Sequence, residues 1–275
     1  MVLDMKQSPV SPFQALPVAM ALLALLAGSA FLQAQPSSAA VSSFTAYAAT
    51  VEARLARQHE STGGFLAGEP NELEGVRLRR GELVVEELTP SGGAAMPGAL
   101  LHHWRGTAFA PGARAADFER IMQDFSAYPR RFSPQVVRAT VISRHGDRLQ
   151  ATMRVKQRHV LSVVLDSTYD IRYGRLDDRH GFSISRSTRI SEIDSAGSGH
   201  ERALDAVEEH GYLWRIHSYW SYEERDGGLY MQIESVSLSR SIPQGLGWAI
   251  GPFVETIPRE SLEFTLRSVC SALRR

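Results

Sequence analysis

Alternation of apolar and polar residues, and their recurrence at three-and-four spacing, divide the chain into elements. The clearest stretch is GYLWRIHSYWSYEERDGGLYMQIESVSLSR, residues 211–240. Two runs rich in aromatic and β-branched residues flank Asp226-Gly227-Gly228, and Asp-Gly between such runs predicts a hairpin. Beyond it, Pro258 suits the first turn of a helix, with Glu260 well placed near the N-terminal end of the helix dipole. Leu262, Leu266, Val269, Cys270 and Leu273 then recur at helical spacing, so this last helix carries one apolar stripe.

The same reading runs upstream. Residues 36–40 (PSSAA) read as a linker, and a helix is expected over 43–59, where Phe44, Tyr47, Ala48, Val51 and Leu55 share a face. Ser61-Thr62-Gly63-Gly64 stops it. Residues 70–81 hold too many charges and breaks to assign, 82–86 read as a short strand, and 89–98 (TPSGGAAMPG) as a loop. One helix and one strand cannot build a core of their own, so 35–97 is expected to pack on the main domain. That domain, 98–275, opens with a strand over 100–110 ended by Pro111-Gly112. A helix over 113–125 follows, with Phe118, Ile121, Met122 and Phe125 on one face. Strand-like runs come next at 136–143, 148–155, 160–173 and 181–193, with His145-Gly146-Asp147 as a tight turn. Residues 195–211 are polar, acidic and glycine-containing, and are expected to form a mobile loop.

Composition narrows the classes. With 43% hydrophobic and 22% charged residues, the chain is globular rather than disordered. Thirty basic against thirty acidic residues give no overall pull towards nucleic acid or an anionic membrane. The single cysteine, Cys270, allows no internal disulfide and sits on the apolar stripe, where burial is expected rather than reactivity. Residues 1–34 read as an export signal: Lys6, an apolar run over 18–32, and Leu32-Gln33-Ala34 before a cut at Gln35. The rival is an uncleaved inner-membrane anchor, although the run falls short of the roughly 20 residues that span a bilayer. Both readings place the globular part outside the cytoplasm, in the periplasm.

The order of elements is a strand, a helical segment, a run of antiparallel strands and a long C-terminal helix. With DFERIMQDFSAYPRRFSPQVV, YLWRIHSYWSYEERDGGLYMQIESVSLSR and GLGWAIGPFVETIPRESLEFTL, it resembles the START-like (SRPBCC) helix-grip superfamily, including polyketide cyclase-like and coenzyme Q-binding-like proteins. The resemblance covers roughly residues 98–273. It implies an α+β fold in which a curved antiparallel sheet wraps the long C-terminal helix, here with an N-terminal helical extension. It further implies a small hydrophobic or amphipathic ligand in a cavity between the two.

Hairpin register suggests what lines such a cavity. A two-residue turn at Asp226-Gly227 sets Trp220 opposite Ile233 and Tyr222 opposite Met231, with Ile216 and Ser218 continuing that face. His217, Tyr219, Gln232 and Glu234 share the other. The more apolar face is taken as the inside. The candidate lining is therefore Ile216, Trp220, Tyr222, Met231, Ile233, Trp248, Phe253, Leu262 and Leu266, and the alternative is that these residues are ordinary core. Residues 245–255 (GLGWAIGPFVE) are apolar nearly all round. They could cap the cavity mouth, touch a membrane surface, or form a buried connecting helix. Their glycines do not match a dinucleotide fingerprint.

Catalytic signals are thin. No G-x-S-x-G occurs, and adjacent His102 and His103 would point to opposite faces of a strand, a poor metal pair. No cofactor, metal or catalytic residue is assigned. Arg186, Arg189, Glu192, Arg215, Glu234 and Arg240 could form a buried acid-base group or solvated ion pairs. Three classes result. The first is an exported carrier of a lipid-like or polycyclic molecule. The second is a cyclase- or hydrolase-type enzyme in the same cavity, with His217, Glu234 or Arg186 as titratable candidates. The third is an envelope interaction module without a ligand. Nothing in the sequence fixes the oligomeric state.

Overall fold

The computed structural model describes residues 35–68, 70–89, 94–96, 98–158, 162–241 and 247–274, the side chains of 95, 158 and 247–255 excepted. The expected signal, 1–34, lies outside the described residues. The first helix, α1, spans Ser38–Gln58 and starts earlier than its apolar stripe suggested. Ser37, within the expected linker, caps it by accepting a bond from the Ala40 amide. A second helix, α2 (Glu72–Arg79), occupies the stretch left unassigned. Its start is a capping box in which Asn71 and Glu74 each accept the other's amide proton.

Strands β1 (Val84–Glu87), β2 (Ala94–Met96) and β3 (Ala99–Pro111) follow, so part of the expected loop at 89–98 is a short strand. Helix α3 (Ala115–Gln123), a 3-10 turn and the short α4 (Tyr128–Arg131) lead into β4 (Val136–His145), β5 (Arg148–Arg158), β6 (Ser162–Arg175) and β7 (His180–Asp194). A two-residue strand, β8 (Arg202–Ala203), precedes the hairpin of β9 (Arg215–Arg225) and β10 (Gly228–Arg240). The sheet is antiparallel, in the order β1-β3-β10-β9-β7-β6-β5-β4, with β2 added to β3 and β8 to β7.

The hairpin turn is the two-residue one. Asp226 and Gly227 have φ of 56° and 73°, the left-handed pair that matches strand twist, and Trp220 faces Ile233 while Tyr222 faces Met231. The 195–211 segment is not free. Glu192, 5% exposed, accepts bonds from the amides of His210, Gly211 and Tyr212 at 2.9, 2.9 and 3.1 Å and so pins its end.

The last helix, α5, runs over Gly247–Leu273, so Pro258 lies inside it rather than in its first turn. A proline there removes one backbone donor, a cost that packing must offset. The packing is at hand: α5 lies on β3, β1, α3 and α4, and Leu262, Leu266, Val269 and Cys270 are all buried. Gly106 of β3 sits beneath the helix, where a Cβ would come within 2.7 Å of Leu266 Cδ1 and 3.0 Å of Leu262 Cδ2. The missing side chain lets the helix settle on the strand. This concave-side core also holds Trp104, Leu149, Ile171, Trp220, Tyr222, Met231 and Ile233.

The convex side is covered as well. Phe44, Ala48, Val51 and Leu55 of α1 pack on Leu101, Tyr219, Val236 and Leu238 of β3, β9 and β10. Phe65, Leu66 and Leu78 cover Phe109 and Tyr230. The middle of the sheet is therefore buried on both faces, which is why β10 reads as a near-continuous buried run.

Candidate functional site

Strand register fixes which side chains share the concave face. Trp104 is opposite Ser235, and Ser235 is opposite Ser218, which in turn faces Ser185. One step along, His102 is opposite Ser237, Ser237 is opposite Ile216, and the Ile216 amide bonds Ser187 Oγ at 2.9 Å. Next to these, Ser239 faces Leu100. One part of the concave face is thus lined with serines and closed at one side by His102 and Trp104.

Three side-chain atoms in this stretch are buried without a hydrogen-bond partner among the described residues: His102 Nδ1, Trp104 Nε1 and Ser239 Oγ. His102 and Trp104 are two residues apart on β3 and so point the same way. Burial lowers the pKa of His102, which keeps its imidazole neutral. Ile216, Ser218 and Ser185 beside them remain only half-buried. No Lys, Arg, Asp or Glu belongs to the stretch these residues define.

The sequence-nominated lining divides in two. Trp220, Tyr222, Met231, Ile233, Leu262 and Leu266 come together in one close-packed cluster at the other end of the concave face. Phe118 of α3 stands with its ring centroid 5.2 Å from that of Trp220 and 4.7 Å from that of Tyr222, and Tyr222 Oη donates to Glu119 Oε1 at 2.7 Å. Ile216 shares their face but lies on the serine-lined stretch. Trp248 and Phe253 have side chains outside the described residues. His102, Trp104 and Ser239 were not singled out as lining. The alternation of β3 could have supplied the first two, since His102 and Trp104 share a face with Gly106.

The titratable candidates lie elsewhere. Arg186, His217 and Glu234 are on the convex face, beneath α1, and none of them faces α5. Arg186 bonds both oxygens of Glu52 at 2.7 and 2.6 Å, and His217 stands beside the same carboxylate at 3.8 Å. Glu234, 1% exposed, accepts from His103 Nε2 at 2.9 Å and from Arg54. His103 Nδ1 meets the Tyr47 hydroxyl at 3.0 Å. The six residues weighed as an acid-base group or as ion pairs do not form one group: Arg186 and Glu234 have separate partners on α1, and Glu192 holds the 210–212 backbone. Among the described residues no three His, Cys, Asp or Glu side chains are grouped to hold a metal. Nor is any described helix long and apolar enough to cross a membrane.

No protein-family model and no curated protein sequence matches the chain. Among solved structures it is similar to a STAR-related lipid transfer protein from Xanthomonas axonopodis, with 16% identity, 66% of this chain and 97% of that chain covered, and a TM-score of 0.45. It is also similar to the Zhui aromatase/cyclase from Streptomyces sp. R1128, with 12% identity, 64% and 94% covered, and a TM-score of 0.43. A third is human STARD10, with 7% identity, 73% and 80% covered, and a TM-score of 0.43. These likenesses concern shape alone. The antiparallel sheet folded about α5, with α3 and α4 between the first long strand and the rest, is the expected helix-grip α+β architecture.

Proposed function

We propose that the chain binds a small hydrophobic or amphipathic ligand on the concave face, between α5 and the serine-lined stretch of β3, β10, β9 and β7. The observation that carries this reading is the trio His102 Nδ1, Trp104 Nε1 and Ser239 Oγ, buried side by side without partners among the described residues. A buried polar atom left unpaired costs about 1–3 kcal/mol, so three on one wall favour an occupant that supplies hydrogen bonds. An indole N–H, a hydroxyl and a neutral imidazole suit a carbonyl or hydroxyl end group. The stretch holds no charged side chain to pair with a carboxylate or phosphate. Apolar neighbours would supply affinity at about 25 cal/mol per Å² of apolar surface buried.

The test is native mass spectrometry of the purified chain, followed by organic extraction of whatever accompanies it. A stoichiometric neutral lipid or polycycle, lost on Trp104→Phe while the fold is unchanged, supports the reading. A bare protein that stays bare when offered a lipid extract overturns it.

A second reading, an enzyme of cyclase or hydrolase type, has one observation behind it: His102 is a neutral imidazole on this face whose Nδ1 has no partner among the described residues, as a general base would need. Conversion of the extracted ligand by wild type but not by His102→Gln would favour it over carriage. We place the protein's work outside the cytoplasm on the signal-like residues 1–34 alone. A mature chain beginning at Gln35 in the envelope fraction would support that placement.

A further inference from the structure

The convex face holds an opening, on the opposite side of the sheet from α5. A cleft of about 660 Å³ lies between α1, the 64–68 loop, Leu88 and β3. Tyr47 and His103 form its floor, and behind them Glu234 closes the chain Tyr47 Oη···Nδ1 His103 Nε2···Oε2 Glu234, with distances of 3.0 and 2.9 Å. Because the carboxylate only accepts, Nε2 donates to it, and Nδ1 is left to the tyrosine hydroxyl. Burial, then the charge of Glu234, raise the Tyr47 pKa, so the phenol stays protonated and serves as a hydrogen-bonding group rather than a nucleophile.

Two guanidinium groups line the same cleft. Arg54 is committed to Glu234 and Gln58. Arg105 is placed differently. Its Nε donates to Glu86 at 3.0 Å, while Nη1 stops 3.9 Å from Glu234 Oε1, too far for a hydrogen bond. Neither terminal nitrogen of Arg105 has a hydrogen bond among the described residues. Yet its side chain is only 16% exposed, and it lies over Gly68, where a Cβ would come within 3.4 Å of Nη1. Gly68 has φ +56°, so a side chain there would be strained as well as crowding the guanidinium. A held, largely buried guanidinium with an open fork matches the geometry of a carboxylate. Val51, Leu66 and Leu88 supply an apolar wall beside it.

We infer that this cleft binds a small monocarboxylate with a short apolar body, its carboxylate on the terminal nitrogens of Arg105 and its body against Val51, Leu66 and Leu88. Tyr47, whose one proton is engaged with His103 Nδ1, is part of the floor and reports on occupancy. The site is independent of the proposed concave-face ligand, since the two sets of residues lie on opposite faces of the sheet.

Hexanoate and its neutral isostere hexanamide are the probes. Each is titrated into the full chain while the ring signals of Tyr47, His103, Trp104 and Trp220 are followed by NMR. Hexanoate is expected to bind in about the millimolar range, moving Tyr47 and His103, with hexanamide at least about tenfold weaker. Arg105→Gln, and Arg105→Lys which keeps the charge but not the fork, should each weaken hexanoate by about tenfold or more. Trp104→Phe should leave it unchanged. Hexanamide binding as well as hexanoate would overturn the assignment. So would inorganic phosphate binding as tightly as hexanoate, shifts confined to Trp104 and Trp220, or no response at about 20 mM. The comparison of the two probes on wild type stands even if a variant fails to fold.

Discussion

His103 Nε2 lies 2.9 Å from Oε2 of Glu234 across the β3–β10 pair, and that same oxygen accepts from Arg54 of α1. Burial pushes the Glu234 carboxyl up, but the bond from His103 and the charge of Arg54 outweigh it and hold it below the usual carboxylate range. One buried carboxylate thus joins the extension to the central strands. Replacing it by alanine leaves Arg54 and His103 facing an apolar gap. Glu234→Ala should destabilise the fold by about 3–5 kcal/mol in urea unfolding, and Glu234→Gln by less, since the amide oxygen still accepts from His103. A loss below about 1 kcal/mol for the alanine variant would show that this join does not hold the extension.

Acid should loosen the same interface. Burial lowers both His59 and His217 to about 4. Unfolded histidine titrates near 6.5, so between about pH 6.5 and 4 the unfolded chain binds more protons than the folded one. Stability is therefore full above about pH 6.5 and falls as pH drops through that window. Glu52 and Glu234, both held low, add a further loss from about pH 4.5 downwards as they are protonated. The urea midpoint should decline from pH 7 to 5 at roughly constant ionic strength, and a flat profile would contradict this. His59→Phe keeps the stack on Phe182, whose ring centroid is 4.4 Å away, and should flatten part of the slope.

Gly181 tests the packing beside the concave-face core. A Cβ there would lie 2.2 Å from Tyr222 Oη and 2.4 Å from Cζ, and that ring is fixed by Glu119 and Phe118. Gly181→Ala should cost about 2–3 kcal/mol and alter the near-ultraviolet circular dichroism of Tyr222 and Trp220. Gly63→Ala meets only Ser61 Oγ at 3.7 Å and should be within about 0.5 kcal/mol of wild type.

The extension is integral to the fold rather than appended to it. Phe44 is 2% exposed and meets His217 edge-on, with ring centroids 5.0 Å apart. Phe44→Ala should destabilise by about 3–5 kcal/mol, as for other buried aromatics, measured by thermal or urea unfolding. A near-neutral result would mean that α1 is not tightly held on the convex face.

Local rules carried far in this chain. Asp226-Gly227 can adopt two consecutive left-handed conformations, so both the hairpin and its register were legible, as was the apolar stripe from Leu262 to Leu273. The capping box at Asn71 and Glu74 was legible too, and passing over it left α2 unassigned. Pro258 shows where a local rule gave way: packing of α5 on β3 and α3 outweighs one lost backbone bond.

What the sequence determined by itself is the set of elements, because turn chemistry and apolar period act over a few residues. Only the tertiary structure decided which polar groups meet. Arg54 and Glu234 are 180 positions apart, and Glu52 and Arg186 are 134 apart. No periodicity links such pairs, and only the folding of α1 onto the convex face brings them together. The concave trio follows the same logic. His102 and His103 were rightly expected on opposite faces of one strand. That His102 Nδ1 would have no partner among the described residues while His103 holds Glu234 depends on what covers each face, which the chain settles only by folding.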